Sequence, residues 1–593
     1  MKLKTIIISA ICLLAAASCT DRKSDLPVQG IIDENGLYTA TFTASRDYLL
    51  IPSYYKRGTN RLDIKVDGAS IFEAIPVMTV ARDKVDYFVP IDIAPYKGKK
   101  ISVNITDVDP ASPILSQARQ SDSIGFDREE FYRPQYHFSP EFGWNNDPNG
   151  LFFDNGVWHL GYQYNPYSVM WDNMSWGHAT STDLVHWKNH PVIIRPDALG
   201  NAYSGSAVID RNNTAGFGEN AVVALYTSAG VQGQQQSVAY SLDGGYSYTK
   251  YEGNPVISST PEMMTQRDPK VQWIDDKWVM AISFDKYVRF YGSQNLLDWE
   301  YLSAICANDF GIPDWGTWEC PDLLKFDYNG ETKWVITINA DQTGPNGVRT
   351  TLYFIGQWTG REFIADPLPY PLLLDYGVDQ YAGVTYGNTG DRHVQLAWLT
   401  SSPWPGSETP ATKYFTGGMA LPHDIFLKDG GEHLILASVP AREIYEARQP
   451  AKELGLREAG KLEAMLDNNS GSYQIELTFV PKSDEVFGFK LSNSKGEIVS
   501  YSFDQKNGEI LTDRSQCGLQ DAFPKTAHCP VVAKLIKRDE YKVELFIDRM
   551  SSEMFVNDGD CVMTNCLFPT EYLNTLEVFG DVELVSSRIF EFN

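Results

Sequence analysis

The chain has 593 residues, too many for a single core, so about two to four domains are expected. Hydrophobic residues make up 43% and aromatic residues 13%, which suits a globular protein rich in β-structure. The formal net charge of −26 argues against nucleic acid and anionic membrane surfaces as partners, because both bind basic patches, whereas a neutral carbohydrate remains compatible.

The first residues have the pattern of an export signal. Lys2 and Lys4 precede the apolar run 6–17, and small residues stand directly before Cys19. This pattern resembles a bacterial lipoprotein signal. We therefore predict a signal peptide at 1–19 with a lipidated Cys19 and a polar tether at 20–26; a plain cleaved signal peptide is the alternative. The apolar run is too short for a membrane span, so membrane association is expected only through the lipid.

Six cysteines follow this leader: Cys306, Cys320, Cys517, Cys529, Cys561 and Cys566. None has the Cys-x-x-Cys spacing of a zinc site, so no zinc is expected. Export permits disulfides, and pairing of Cys517 with Cys529 or of Cys561 with Cys566 stays open.

Alternation of apolar and polar residues predicts an all-β fold in three parts. Runs such as 38–42, 62–66 and 101–105 have a period of two and indicate a small sandwich-like β-domain with its linker at 27–132. Its expected role is structural packing, with carbohydrate binding as the alternative. Similar runs at 473–479 and 542–547 predict a linker and C-terminal β-sandwich at 431–593.

The central part, 133–430, contains a weak internal repeat of five hairpins, each headed by a polar residue. The heads are Asp147, Ser204, Asp268, Glu319 and Asp379. Their spacing of roughly 50 to 65 residues is typical of propeller blades, small sheets set radially with their inner strands side by side. The repeat therefore predicts a five-bladed β-propeller in which the five heads converge on one axial cavity.

The acidic heads indicate glycosidic bond cleavage, which usually needs two carboxyl groups flanking the bond. Burial and like-charge repulsion raise the pKa of one such group so that it can donate a proton. Asp147, Asp268 and Glu319 supply the carboxyls, and Arg267 could bias which one ionises. Binding of Ca²⁺ or Mg²⁺ is the rival chemistry, but no Asp-x-Asp-x-Asp-Gly ligand loop is present, so no metal is predicted.

At these residues the chain resembles glycoside hydrolase family 32, the invertase, inulinase and levanase family, from about 133 to 593. The motifs stand in the family's order: Asn146-Asp147-Pro148-Asn149-Gly150, His159 through Pro166, Trp171 through Ser181, Tyr203-Ser204-Gly205-Ser206-Ala207-Val208, Arg267-Asp268-Pro269-Lys270 and Trp318-Glu319-Cys320-Pro321-Asp322. The resemblance implies a five-bladed propeller with a C-terminal β-sandwich, and retaining cleavage of β-fructofuranosides without a cofactor.

The resemblance also implies residue roles. Asp147 is the expected nucleophile, Glu319 the general acid and base, and Asp268 the stabiliser of the transition state. The positions that match the terminal fructose subsite are Asn146, Gln163, Trp171, Ser204 and Arg267.

Four positions depart from the family's pattern: Asn145, Gly161, Gln380 and His423. None is one of the three carboxylates, so catalysis is still expected. The departures put the outer subsites in doubt, and with them the linkage preference. Trp404 is a candidate for stacking on a sugar near the rim.

The sequence thus predicts an exported β-fructosidase that releases fructose from the end of a fructan such as levan or inulin, and sucrose is a further candidate substrate. An endo-levanase or a fructosyltransferase is the first alternative, and a catalytically inactive fructan-binding propeller the second. The protein is expected to be a monomer that does not bind nucleic acid. By analogy with exported fructan hydrolases of the Bacteroides type, we expect a lipoprotein of a Gram-negative-type bacterium, in the periplasm or outer membrane, with the cell surface as the alternative.

Overall fold

The computed structural model describes residues 24–126, 129–399, 412–454, 462–466, 468, 470–523 and 526–592. The predicted signal peptide with Cys19 and the candidate rim residue Trp404 lie outside these ranges. Helix is confined, within the ranges, to short segments: Ala94–Tyr96, Ile114–Gln117, Ala307–Phe310, Arg442–Glu446 and Gln520–Ala522. None of the helices described is long and apolar enough to span a membrane. The all-β prediction is confirmed.

The N-terminal part forms two sheets that share one apolar core, as the alternation of its strands predicts. One sheet pairs, in order, Leu26–Pro27, Arg119–Ser121, Tyr48–Ser53 and Tyr87–Asp92. The other pairs Gly30–Ile32, Tyr38–Thr43, Lys100–Ile105, Asn60–Val66 and Ala69–Ser70, with Val77–Met78 alongside Asn60–Val66. Inward residues such as Leu49, Ile64 and Val103 are almost fully buried between the sheets. Leu26, predicted to lie in the tether, already belongs to the first sheet.

Five further sheets, blades 1 to 5, follow one another along the chain. Blade 1 consists of Gly143–Asp154, Val157–Asn165, Ser175–Ser181, Trp187–Ile194 and Phe415–Thr416. Blade 2 consists of Asn201–Asp210, Ala221–Gly230, Gly233–Ser241 and Thr249–Lys250. Blade 3 consists of Arg267–Ile274, Lys277–Phe284, Tyr287–Ser293 and Glu300–Cys306. Blade 4 consists of Trp318–Tyr328, Glu331–Ala340, Thr350–Trp358, Phe363–Ala365 and Leu372–Asp375. Blade 5 consists of Gln380–Thr385, His393–Leu399, Gly418–Met419, His423–Asp429 and Leu434–Pro440.

The first strands of neighbouring blades lie against each other in a closed ring, in which blade 5 returns to blade 1. This arrangement is a five-bladed propeller, and Phe415–Thr416 adds a parallel contact to Gly143–Asp154 where the ring closes. Blade 5 extends past the predicted end of the propeller at 430. Leu434–Pro440 pairs in full register with His423–Asp429, and Gly430 and Gly431 form the turn between them.

The C-terminal part is a sandwich of two six-stranded sheets. One sheet pairs Lys452–Glu453, Val582–Phe590, Ser472–Pro481, Tyr541–Asp548, Ser551–Val556 and Cys561–Cys566. The other pairs Leu462–Met465, Thr575–Phe579, Phe487–Ser492, Ile498–Asp504, Glu509–Gln516 and Val531–Lys534. The six cysteines beyond the leader are free thiols.

Buried charges join this sandwich to the propeller. His137, just before blade 1, contacts Asp548 through Nδ1 at 2.8 Å and Glu553 through Nε2 at 2.6 Å. Asp548 also accepts the backbone N–H groups of Gln135 and Tyr136. Burial lowers the pKa of His137, but the hydrogen bonds to both carboxylates prevail and raise it to about 9. The seam is therefore held by a charge network that either part alone would leave unpaired.

Candidate active site

In every blade the pairing of the first strand with the second contains a register irregularity. These irregularities position the residues of the site. The shifts fall between Asn145 and Pro148, Tyr203 and Gly205, Arg267 and Lys270, Glu319 and Asp322, and Tyr381 and Val384. A bulge of this kind changes the direction in which the nearby side chains point. Asp268, Cys320 and Ala382 lie within these shifts with positive φ angles of 63°, 47° and 56°. Such backbone conformations cost free energy and concentrate at functional sites.

Asp147, the predicted nucleophile, is held by hydrogen bonds to both carboxylate oxygens. Ser204 Oγ donates to Oδ2 at 2.5 Å, and Asn146 Nδ2 donates to Oδ1 at 3.0 Å. The indole of Trp144 donates to Asn146 Oδ1 at 2.7 Å, which fixes the orientation of that amide. Burial and the neighbouring charge of Glu319 raise the pKa of Asp147, while the two donated hydrogen bonds oppose the increase.

Glu319, the predicted acid and base, is paired with a cation from the neighbouring blade. Arg267 donates to Oε1 from Nη2 at 2.7 Å and from Nε at 3.1 Å. The hydroxyl of Tyr381 donates to Oε2. Burial raises the pKa of Glu319, but Arg267 and Tyr381 outweigh burial and hold it below its ordinary value. Glu319 is therefore ionised near neutral pH.

Asp268 is close enough to Asp147 and Glu319 to be affected by the charges of both. The backbone N–H of Cys320 donates to its Oδ2 at 3.1 Å, and the Asp268 N–H donates to Thr227 Oγ1 at 3.2 Å. Burial, together with the charges of Glu319 and Asp147, raises the pKa of Asp268 to about 7 despite the opposing effect of Arg267. Near neutral pH Asp268 is therefore partly protonated, whereas Glu319 is ionised.

The spacing of the group raises the question of a metal ion. One ligand atom each of Asp147, Asp268 and Cys320 lies within 4.8 Å of the other two. A thiol binds metal as its thiolate, however, and burial together with the surrounding carboxylates raises the pKa of Cys320 well above its ordinary value. The donor set therefore suits proton sharing better than metal coordination.

The two remaining predicted subsite residues, Gln163 and Trp171, lie in blade 1. Gln163 is buried, and its Nε2 donates to the carbonyl oxygen of Ala202 at 3.0 Å, which ties the first two blades together. Trp171 is half-buried, and its ring meets that of Tyr203, the neighbour of Ser204, at 6.2 Å in a T-shaped contact. Trp171 thus contacts the residue next to Ser204, whereas Gln163 connects the strands of the first two blades.

The expectation that all five hairpin heads converge is wrong for Asp379. Its carboxylate accepts hydrogen bonds from Arg514 Nη1 at 2.6 Å and from the Cys566 N–H at 2.7 Å, so it belongs to the contact with the C-terminal sandwich. Asp379 precedes the first strand of blade 5, whose bulge begins after Tyr381, and Tyr381 contacts Glu319 instead.

Arg349 is a second site residue that the sequence analysis missed. Its guanidinium lies over the rings of Tyr381 and Trp398, at 5.0 and 5.2 Å from their centroids. Burial lowers its pKa, whereas Tyr381, Glu319 and Asp147 oppose that effect. Arg349 precedes Thr350–Trp358 and heads no hairpin, so only the motifs of a relative could have pointed to it.

The four departures from the family pattern are all buried. A Cβ on Gly161 would lie 2.7 Å from the Asn149 oxygen, so the close approach of two strands requires glycine there. His423 contacts Ser438 Oγ at 2.9 Å and Glu553 at 3.4 Å and so belongs to the seam with the sandwich. Asn145 and Gln380 pack inside the propeller.

Two family models match the chain. The "Glycosyl hydrolases family 32 N-terminal domain" covers residues 137–438, and the C-terminal domain of the same family covers residues 443–591. The chain belongs to glycosyl hydrolase family 32. The family domains begin at residue 137, so the two-sheet N-terminal part is an addition to them.

Curated relatives and solved structures agree with this membership. A levanase of Bacillus subtilis is 36% identical over 493 residues, covering 80% of this chain and 72% of its own. An extracellular exo-inulinase of Aspergillus awamori is 34% identical over 500 residues, covering 76% and 91%. The crystal structure of exo-inulinase from Aspergillus awamori has a TM-score of 0.71 at 31% identity and covers 79% of this chain and 99% of its own. A β-fructofuranosidase of Schwanniomyces occidentalis complexed with fructosyl-erythritol also has a TM-score of 0.71, at 29% identity and the same coverage. The predicted propeller and C-terminal sandwich are thereby confirmed.

Proposed function

We propose that this family 32 hydrolase removes fructose from the ends of β-fructofuranoside chains with retention of configuration. The observation that carries the proposal is the convergence of Asp147, Asp268 and Glu319, from three blades, on one small cluster. Glycoside hydrolysis needs a nucleophile and a proton donor on either side of the bond, and this cluster supplies both.

In the first step, Asp147 attacks the anomeric C2 of the terminal fructosyl unit, and the bond from C2 to the leaving oxygen breaks. Glu319 gives its proton to that oxygen, so the leaving group departs as a neutral sugar. The hydrogen bonds from Ser204 and Asn146 keep the Asp147 carboxylate ionised and aimed. In the second step, Glu319 takes a proton from water, which attacks C2 and releases fructose and free Asp147.

The proton that Glu319 needs comes from within the cluster. In the empty site Asp268 has the raised pKa and Glu319 the lowered one. Fructose hydroxyls that donate to Asp268 stabilise its ionised form and lower its pKa. Because the carboxyls titrate as a coupled set, substrate binding shifts the proton to Glu319. Ionised Asp268 then stabilises the positive charge that develops on the sugar ring.

Exo-action is supported by the access to the cluster and by the relatives. The side chains of Glu319 and Asp268 are 23% and 6% exposed, which suits entry of a chain end better than passage of a whole chain. Two relatives carry the names levanase and extracellular exo-inulinase. The proposed substrates are therefore fructans such as levan or inulin, or their oligosaccharides.

Product analysis tests the proposal. The purified protein is incubated separately with levan, inulin and sucrose, and early products are separated by chromatography. Fructose alone from the first time point is expected. A ladder of oligosaccharides would replace exo-action by endo-action, longer products would indicate transfer to sugar, and no release from any substrate would leave only a binding role. Asp147→Asn is the matched inactive control.

A trapped intermediate tests the nucleophile separately. Rapid acid quenching during turnover, followed by peptide mass spectrometry, is expected to show one fructosyl unit on the peptide that contains Asp147. An adduct on Asp268 or Glu319 instead would overturn the assignment.

The remaining parts of the proposal concern where the enzyme works. The leader pattern supports export with a lipid on Cys19 that holds a monomer in the periplasm or at the outer membrane. Relatives named as extracellular support export. The N-terminal sandwich at 27–132, the propeller from 133 and the C-terminal sandwich are proposed as the three domains of the exported enzyme.

A further inference from the structure

The N-terminal domain reaches the rim of the active site. Val77 N donates to Asn173 Oδ1 at 2.9 Å, and Asn173 Nδ2 donates to the Val77 oxygen at 2.8 Å. Asn173 is buried and also donates to Asn165 Oδ1 at 3.1 Å. These reciprocal bonds fix the loop that carries Trp171 against a strand of the added domain.

Arg57 approaches Trp171 from this domain. Its guanidinium lies 5.7 Å from the centroid of the Trp171 ring, and its Nε lies 3.6 Å from Asp172 Oδ2. The Arg57 side chain is 68% exposed. Among the described residues, no group accepts a hydrogen bond from its two terminal nitrogens, so these donors face solvent at the rim.

The loop that carries Arg57 is anchored on both sides. The Tyr55 N–H donates to Asp86 Oδ2 at 3.0 Å, and Thr79 Oγ1 donates to the Lys56 oxygen at 2.7 Å. The Thr59 N–H donates to the Met78 oxygen at 3.0 Å. Arg57 is thus presented by a fixed turn rather than by a free end.

A short series of contacts connects Arg57 with the reacting centre. The Trp171 ring meets Tyr203, and the next residue, Ser204, donates to Asp147. Burial raises the pKa of Tyr203; Arg267 and Arg57 oppose this effect, and Asp172 adds to it. Arg57 therefore lies one side chain beyond the wall of the terminal pocket.

We propose that Arg57, Trp171 and Asp172 form an outer subsite that binds the sugar units following the cleaved bond. The inference rests on the proposed exo-action, because a chain whose end lies at Asp147 must leave past this rim. A guanidinium donates to sugar hydroxyls, a carboxylate accepts from them, and an indole face packs against the ring. The added domain would thus supply specificity for longer chains that the family domains alone lack.

The test is a chain-length series with Arg57→Ala. kcat and KM are measured on sucrose and on fructo-oligosaccharides of three, four and five units. The expected result is that kcat/KM for the longest oligosaccharides falls about ten-fold more than for sucrose, chiefly through KM, because one charged hydrogen bond is lost. Arg57→Lys keeps the charge without the planar fork and should recover part of the difference.

The matched control is Arg61→Ala, an exposed arginine on a strand of the same domain, for which no chain-length dependence is expected. A purely structural role of Arg57 in holding the Trp171 loop would lower kcat/KM equally on every substrate, and that result would overturn the inference. So would equal values for wild type and Arg57→Ala on all substrates. A wild-type enzyme without activity on any member of the series would instead refute the proposed function, and the inference with it.

Discussion

Replacing Tyr381 by phenylalanine removes one hydroxyl beside the proposed acid and leaves the aromatic ring. The hydroxyl donates to Glu319 and stabilises its ionised form. Without that bond the pKa of Glu319 is expected to rise, because hydrogen bonds to a carboxylate favour its charged state. Since the acid must be protonated to act, the enzyme should remain active to higher pH.

The magnitude follows from the bond. A buried hydrogen bond to a charged group contributes about 1.5–3 kcal/mol, and one pKa unit corresponds to about 1.4 kcal/mol. The shift is therefore about one to two units. Arg267 still neutralises Glu319 in the variant and keeps part of the lowering in place.

The assay is the pH dependence of kcat for fructose release, whose basic limb reports the apparent pKa of the coupled carboxyls in the enzyme–substrate complex, where the proposed proton lies on Glu319. Tyr386→Phe is the control, because the Tyr386 hydroxyl is buried without a hydrogen-bond partner among the described residues. A basic limb of Tyr381→Phe that stays in place or moves to lower pH would refute the reasoning.

Three further predictions concern catalysis and the seam. Asp147→Asn and Glu319→Gln should each lower turnover by about 10² or more while circular dichroism stays native; near-wild-type fructose release by either variant contradicts the assigned roles. His137→Ala should lower the free energy of unfolding by about 3–5 kcal/mol in urea titrations, because it leaves buried carboxylates unpaired; an unchanged midpoint would argue against the network. Stability from His137 is present below its ordinary pKa of 6.5 and is lost as the pH rises through about 9. Burial raises the pKa of Glu553, but its hydrogen bond with His137 helps hold it at about 2, so its contribution is present above 4.5 and is lost as the pH falls through about 2. Urea titrations across this range should show the wild-type advantage over His137→Ala shrinking at both ends.

Most of the fold could be predicted because strand alternation and hairpin spacing are local properties. The end of the propeller could not be predicted in this way. Gly430 and Gly431 look like a linker in the sequence, although they form a turn within blade 5. Whether a turn joins two strands of one sheet depends on pairing of His423–Asp429 with Leu434–Pro440, and that pairing is set by the blade's neighbours.

The acidic part of the site could be predicted, and the supporting residues less well. Asp147, Asp268 and Glu319 stand in recognisable motifs that head hairpins. In blade 5, by contrast, Asp379 lies before the strand, and Tyr381, where the bulge begins, carries the side chain that reaches Glu319. Arg57 could not be found at all, because its partner Trp171 lies in a different domain.

The repeated bulges have a consequence for how this site can change. Each first strand is divided into a segment up to and including the irregularity, which carries the channel-facing residues, and a blade-packing segment after it. A substitution in the former alters the chemistry of the channel while the alternation of the latter, and hence the hydrophobic core, is preserved. New specificities are therefore best sought by changing the channel-facing residues at each bulge other than the three carboxylates.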